Sequence, residues 1–376
     1  MGTLSRRVLG ISPRETSFAR RGFRCDSAAV RERLEEVGRC FVHGYLRALE
    51  AADGEALAAR LETEVARDFR GFAYEGAGMA LTLLDTLVPW RRGRLRRFLA
   101  GPGWAHVYIV HIGAGWTLAR LPIPVHRLLG GLHPLFRWLA LDGYGFHQGF
   151  FHWPQAIVRR QVPRRLSGYA RRVFDQGVGR SLWFVEGADP GRIAADVAAF
   201  PAARQPDLWA GVGLACAYAG GADRDTLAAV CRAAGPARPA LAQGVAFAAK
   251  ARQWGGNPTP DTALACAVVC GMTVEEAAAA TDRALPAGAL PEAAAGARPD
   301  PGAGAFPKAA PGALPEAAAG LRSDFGPDAR PDSGPSAAAA TAPGAPTQAH
   351  ETRDTPLFEV WRQRIQQQFL PEVATS

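Results

Sequence analysis

The chain reads as an all-α protein: an array of stacked helical hairpins, then an unstructured tract, then one terminal helix. Three observations predict this. A glycine recurs at positions 44, 76, 113, 143, 177, 211 and 244, each time near the start of an apolar segment rich in aromatic residues. Turn and capping residues follow each of the clearer segments at similar offsets. Composition changes abruptly at about residue 283, where Ala, Pro and Gly take over. A spacing of 30 to 37 residues is that of a two-helix unit that buries its apolar face only by stacking on its neighbours.

Residues 1–30 read as a mobile N-terminal arm, and 31–282 as the repeat domain. Within that domain three units align clearly, starting at Asp175, Trp209 and Ala242. The first unit, from His43-Gly44-Tyr45 to Leu57, has the same outline. Gly187, Gly220-Gly221 and Gly255-Gly256 signal helix ends, because glycine alone takes the left-handed turn cheaply. Asp53, Asp189, Asp223 and Asn257 are placed to cap the helix that follows, and Pro190 and Pro258 suit its first position. Pro201, Pro206, Pro236 and Pro239 break the chain between units. A second glycine follows two residues after the first in the pairs starting at 76, 113, 143, 177 and 211. An interior helical glycine costs about 1 kcal/mol against alanine, so its repetition implies closely approaching helices. No buried strand precedes these pairs, which argues against a phosphate-cradling loop. The units from Gly76 to Trp153 are interrupted by prolines. Ala105–His111 has a β-like composition but fills a slot that helices occupy elsewhere, and is assigned to helix. The architecture predicted is a tetratricopeptide-like α-solenoid, although only Trp209, Val212 and Gly213 match that repeat's early signature. Residues 283–355 cannot build a core and read as a disordered linker. In 356–372, Leu357, Phe358, Trp361, Ile365, Phe369 and Leu370 fall on one face of an amphipathic helix, expected to dock back onto the array or, as the alternative, onto a partner.

The chain has 376 residues and a formal charge of +8. Arginines cluster at Arg91–Arg97 and again between Arg159 and Arg172; they read either as a solvated face or as a landing patch for an acidic protein or an anionic cofactor, with Arg91–Arg97 the candidate site for an acidic protein partner. No nucleic-acid-binding motif accompanies the charge. Six cysteines fit no zinc pattern and read as reduced, buried thiols of a cytoplasmic protein. The apolar stretch Trp104–Ala119 has 16 residues, short of the ~20 that span a membrane, so the chain is expected not to be membrane-spanning. Neither a metal nor a cofactor is implied.

If the units superpose, the residues preceding the recurrent glycines share one position: His43, Glu75, Ile112, Asp142, Gln176, Ala210 and Gln243. Their polarity predicts a seam along the array, with His111, Asp175, Arg180 and Lys250 near it. The densest patch, Leu141–Trp153, adds His147 and several aromatic residues. Glu75, His111, Asp142 and His147 are the catalytic candidates, since a histidine beside a carboxylate does general acid–base work. Trp116, Tyr144, Phe146, Gln176, Arg180, Trp183 and Gln243 are the candidates for a substrate groove. The competing reading is a buried polar ladder whose members only satisfy one another.

The segments Arg70–Met79, His111–Trp116, Leu141–His147, Asp175–Phe184 and Asp207–Ala215 resemble the UnbL-type accessory family, encoded beside the iterative polyketide synthase in enediyne antibiotic gene clusters. The likeness covers about residues 35–280. It implies an accessory role after the synthase, on a linear polyene or its carrier-bound form, and brings no residue assignments. Two alternatives stay open: a non-catalytic scaffold for pathway proteins, and a cofactor-free polyene cyclase or isomerase.

Overall fold

The computed structural model describes residues 7–88, 90, 93–290 and 355–370. Among them every regular element is helical. Eight helices follow one another as a row: α1 (Ala28–Glu50), α2 (Arg70–Leu87), α3 (Val107–Arg120), α4 (Leu139–Phe151), α5 (Tyr169–Val185), α6 (Gln205–Tyr218), α7 (Arg238–Trp254) and α8 (Val274–Arg283). Each packs along the next. Ala105–His111 is helical, starting as a short 3-10 turn that leads into α3.

The glycine pairs make this row possible. A β-carbon at Gly113 would stand 1.9 Å from the Glu75 carbonyl oxygen on α2. The same holds for Gly143 against Ile112, Gly177 against Asp142 and Gly211 against Gln176. The second glycine of each pair faces the following helix instead: Gly115 meets Ala140, Gly145 meets Phe174, Gly179 meets Leu208 and Gly213 meets Leu241. Helices α2 to α6 therefore each present bare backbone to both neighbours, and α7 presents it through Gly244 to α6, so that no side chain fits at those contacts. Close contact of this kind recovers part of the ~1 kcal/mol that each interior glycine costs.

This geometry corrects the register of the first unit. Gly44 faces forward, onto Ala73, as the second glycine of a pair does, and Gly76 faces back onto Phe41. Position 42, a valine, is the true counterpart of Gly113 and Gly143. The seam residue on α1 is therefore Phe41. His43 points elsewhere, half-exposed, with Nε2 2.8 Å from Glu64.

Shorter elements pack outside the row: Gly54–Glu64, Arg94–Leu99, Val125–Gly130, Pro190–Ala198, Arg224–Ala234 and Pro260–Ala265. From Val173 to Val185, α5 is buried at every residue, as expected of an inner helix. Pro190–Ala198 buries only Ile193 and Val197. Asp53, Asp189 and Asp223 cap as expected, each accepting from a backbone N–H three residues on. Gly187, Gly220, Gly221 and Gly256 have positive φ. Asn257 does not cap: it is buried, while Thr259 takes the capping position and Pro260, not Pro258, opens the helix. Pro206 and Pro239 lie in the first turns of α6 and α7 rather than between units.

The row curls, so helices far apart in sequence meet across its inside. Phe41 of α1 stacks on Trp116 of α3 with ring centroids 4.1 Å apart. Phe72 of α2 meets Tyr218 of α6 edge-on at 5.1 Å. Tyr108 of α3 meets Trp254 of α7 at 5.1 Å. The buried Arg252 ties this closure, donating to the carbonyl oxygens of Asp68 and Tyr218. An open concave groove, as in an extended solenoid, is replaced by an interior that side chains largely fill.

The segment expected to be a mobile arm is packed from Leu9 onward. Leu9, Ile11 and Phe18 are buried. The Phe18 N–H donates to Glu35, Arg24 N–H to the Val185 carbonyl, and Trp153 Nε1 to the Arg21 carbonyl. At the other end, α9 (Leu357–Gln367) lies against α7 and α8. Phe358, Trp361 and Ile365 are buried there, whereas Leu357 and Leu370 are exposed. Arg362 bridges Asp207 at 2.7 Å and Glu359 at 3.3 Å, and Arg172 binds the same two carboxylates. The linker expected over 283–355 lies outside the described residues from 291 to 354, and so do Arg91 and Arg92 of the first arginine cluster. Among the described residues, no single helix is long and apolar enough to cross a membrane.

Candidate functional site

Inside the curl lies a cavity walled mainly by aromatic and aliphatic side chains; its empty space of about 520 Å³ includes the solvent at its mouth. Phe41 of α1, Phe72 of α2, Trp116 of α3, Phe146 and Phe150 of α4 and Phe184 of α5 line it. The N-terminal segment lines one side of it with Ile11, Glu15 and Thr16. Two polar groups on the row helices reach it, Glu75 from α2 and Arg180 from α5.

These two belong to one buried cluster. Trp116 Nε1 donates to Glu75 Oε1 at 3.2 Å, and Arg180 Nη2 lies 3.6 Å from the same oxygen. Arg180 Nη1 donates to Asp142 Oδ1 at 2.5 Å. Gln176 Nε2 donates to Asp142 Oδ2 at 2.7 Å. The guanidinium also lies over the Phe146 ring, 4.8 Å from its centroid. The local reason for this convergence is the glycine ladder. Glu75, Asp142 and Gln176 each immediately precede a pair's first glycine, so the backbone contacts that fix neighbouring helices also fix these side chains' origins.

Three groups, two acids and one base, share a water-poor space. Burial is the main influence on Glu75 and pushes its carboxyl up to about 7; the nearby Asp142 charge adds to this, while Arg180 and the Trp116 N–H pull it down. Burial opposes the Arg180 charge, but Asp142 and Glu75 outweigh it and hold the guanidinium more firmly protonated than usual. Asp142 has both oxygens engaged. Glu75 is thus the group of the cluster that lines the cavity and changes protonation near neutral pH.

Of the four catalytic candidates, Glu75 and Asp142 converge and the two histidines stay apart from them. His111 turns back on its own helix, Nδ1 lying 2.8 Å from the Val107 carbonyl, while Nε2 accepts from the His133 N–H at 3.4 Å. Burial lowers it to about 3, so it is neutral and structural. His147 is fully buried beside Trp116 and Phe151, with neither ring nitrogen hydrogen-bonded among the described residues. Burial first, then the positive neighbours His152, Arg120 and Arg21, drive its proton affinity well down.

Among the groove candidates, Trp116, Phe146 and Arg180 line the cavity, and Gln176 supports it from behind through Asp142. Tyr144 lies under Arg165 and against Phe174. Trp183 is buried and donates to the Gly220 carbonyl. Gln243 belongs to the seam but accepts from Arg362 and Gln366 of α9. Asp175 and Lys250 are spent on Arg204 and Asp282. Sequence reasoning missed Ile11, Glu15 and Thr16, because that segment carries no periodic signal. It missed Phe41 because the wrong glycine was taken as the first of its pair. Phe72, Phe150 and Phe184 were visible only as aromatics on apolar helices. Among the described residues, no group of three or more His, Cys, Asp or Glu side chains gathers to hold a metal ion.

A family model described as "Protein of unknown function (DUF1702)" matches residues 1–296. No curated protein and no solved structure matches the chain.

Proposed function

Because the chain belongs to the DUF1702 family of proteins of unknown function, its own cavity must supply the reading, and we propose that it binds a long apolar chain there and moves protons on it through Glu75. The single observation behind this is a cavity-lining carboxyl held near neutrality at about 7 among aromatic walls. Such a wall receives an unsaturated hydrocarbon well, because aromatic faces bury large apolar area. A neutral Glu75 donates its proton to one carbon of a conjugated chain. The resulting carboxylate, steadied by Arg180 and the Trp116 N–H, takes a proton from another carbon. The double bonds shift or a ring closes, and Glu75 ends as it began. No net redox change occurs and no co-reactant is consumed. Proton transfer by a positioned side chain is worth roughly 10²–10⁴ in rate.

The resemblance to the enediyne accessory family supplies the pathway of this proposal: a polyene released by, or still attached to, the iterative polyketide synthase. Asp142 and Gln176 serve as positioning residues that hold Arg180. The test is Glu75→Gln, folded by circular dichroism, in a host lacking the natural gene and in a purified assay with a linear polyene. Loss of product with ligand affinity retained supports proton transfer. Full product from the folded variant removes it and leaves a binding or scaffold role.

A further inference from the structure

Behind Phe151, at one edge of the cavity, lies more positive charge than the proton chemistry uses, held by side chains that do not line the cavity themselves. Phe151, which lines the cavity, is surrounded by basic groups. The Arg21 guanidinium lies 5.2 Å from its ring centroid and the His147 ring 4.7 Å from it. His152 follows, its ring 6.1 Å from that of His147. Arg120 lies one helical turn beyond Trp116 on α3, in the interior. Trp116 itself meets His147 edge-on at 5.4 Å.

Two of these groups hold unsatisfied donors in the interior. His147 is fully buried, and neither ring nitrogen has a hydrogen-bond partner among the described residues. Arg21 Nε is likewise buried without one, although Arg21 Nη2 pairs with Glu15 at 2.7 Å. A buried polar group left unpaired is costly, and a histidine placed among cations in an apolar pocket is disfavoured as a mere filler. An anion resolves both problems. It accepts from His147 and from Arg21 Nε, and it offsets charges gathered where water is scarce.

We infer that this edge binds the anionic head group of an otherwise apolar ligand, a carboxylate or phosphate, with the tail lying along the aromatic cavity towards Glu75. The inference rests on the apolar-chain reading of the cavity and adds the ligand's class: an amphiphile with one acidic end. Its head would sit near the N-terminal segment, which supplies Arg21 to the head and Ile11, Glu15 and Thr16 to the cavity wall.

Isothermal titration of the full chain with dodecanoate, dodecyl phosphate and dodecanol tests it. The three share a tail and differ only in the head. The acid or the phosphate should bind at least about tenfold tighter than the alcohol, the scale of one charge-assisted hydrogen bond; whichever binds tighter names the head group. His147→Leu and Arg21→Met should each cut that preference by about tenfold while leaving dodecanol affinity unchanged. Arg21→Met keeps the test decisive if the buried histidine variant does not fold, since Arg20 still pairs with Glu15. Equal binding of all three ligands, or an undiminished preference in the folded variants, overturns the anion site and leaves the cavity reading intact. Failure of every dodecyl ligand to bind overturns both.

Discussion

Glu75 ties the site to stability as well as to chemistry. Its native value of about 7 stands above the ordinary 4.5, so the folded chain keeps a proton that the unfolded chain surrenders. The stability this contributes is fully present below pH 4.5 and is lost as pH rises through 7, by an amount on the order of 3 kcal/mol. Urea denaturation at pH 5 and pH 8 should show the wild type losing stability over that interval and Glu75→Gln losing much less of it. Asp142 is a different case. Removing it leaves Arg180 buried with only the more distant Glu75, and Asp142→Ala should cost about 3–5 kcal/mol in the same denaturation experiment. At this scale the sequence was half legible. Polar residues before glycines were plain to see, and two of the four catalytic candidates meet. The histidines could not be sorted, because a side chain that bonds its own helix, as His111 does, has the same sequence signature as one that faces a cavity.

At the level of the helices, the glycine ladder makes a sharp comparison possible. A methyl group at Gly177 would lie 1.9 Å from a backbone oxygen, whereas one at Gly130 meets nothing within 4 Å. Gly177→Ala should therefore destabilise by more than about 3 kcal/mol, since backbone cannot step aside as a side chain does. Gly130→Ala should be neutral or gain up to about 1 kcal/mol. Thermal melts of the two variants check this. The ladder's period, the aspartate caps and the helix ends were readable because each rests on local geometry. The first unit's register was not. Gly44 lies in an apolar run like the others, and nothing local says that its partner position carries Val42. Asn257 misled for a similar reason: a residue of good capping type is buried instead, and the next suitable residue, Thr259, takes over.

For the molecule as a whole, the curl was beyond reach of the sequence, because it follows from small rotations between successive helices that no single motif records. Its effect is that helices α2, α5 and α6 meet, and that the N-terminal segment completes a wall rather than trailing free. The C-terminal helix belongs to this closure through the Arg362–Asp207 and Arg172–Glu359 pairs. Deleting residues 296–350 should leave the melting temperature within a few degrees, as expected if that Ala-, Pro- and Gly-rich tract adds no core of its own. Ending the chain at residue 355 should lower it clearly, because Asp207 then loses Arg362 and the aromatic cover of Phe247 is stripped. Calorimetry of the two deletions separates tether from cap.

Curling also limits how such a protein can change over time. An extended array tolerates duplication or loss of a unit, because every unit touches only those beside it. Here Glu75 meets Arg180 and Phe72 meets Tyr218 only because a set number of helices lies between them. Adding or removing one rung would shift every later helix around the turn and pull both partnerships apart. Variation should therefore enter as substitutions in the wall and as growth in terminal segments, while the tally of rungs stays constant.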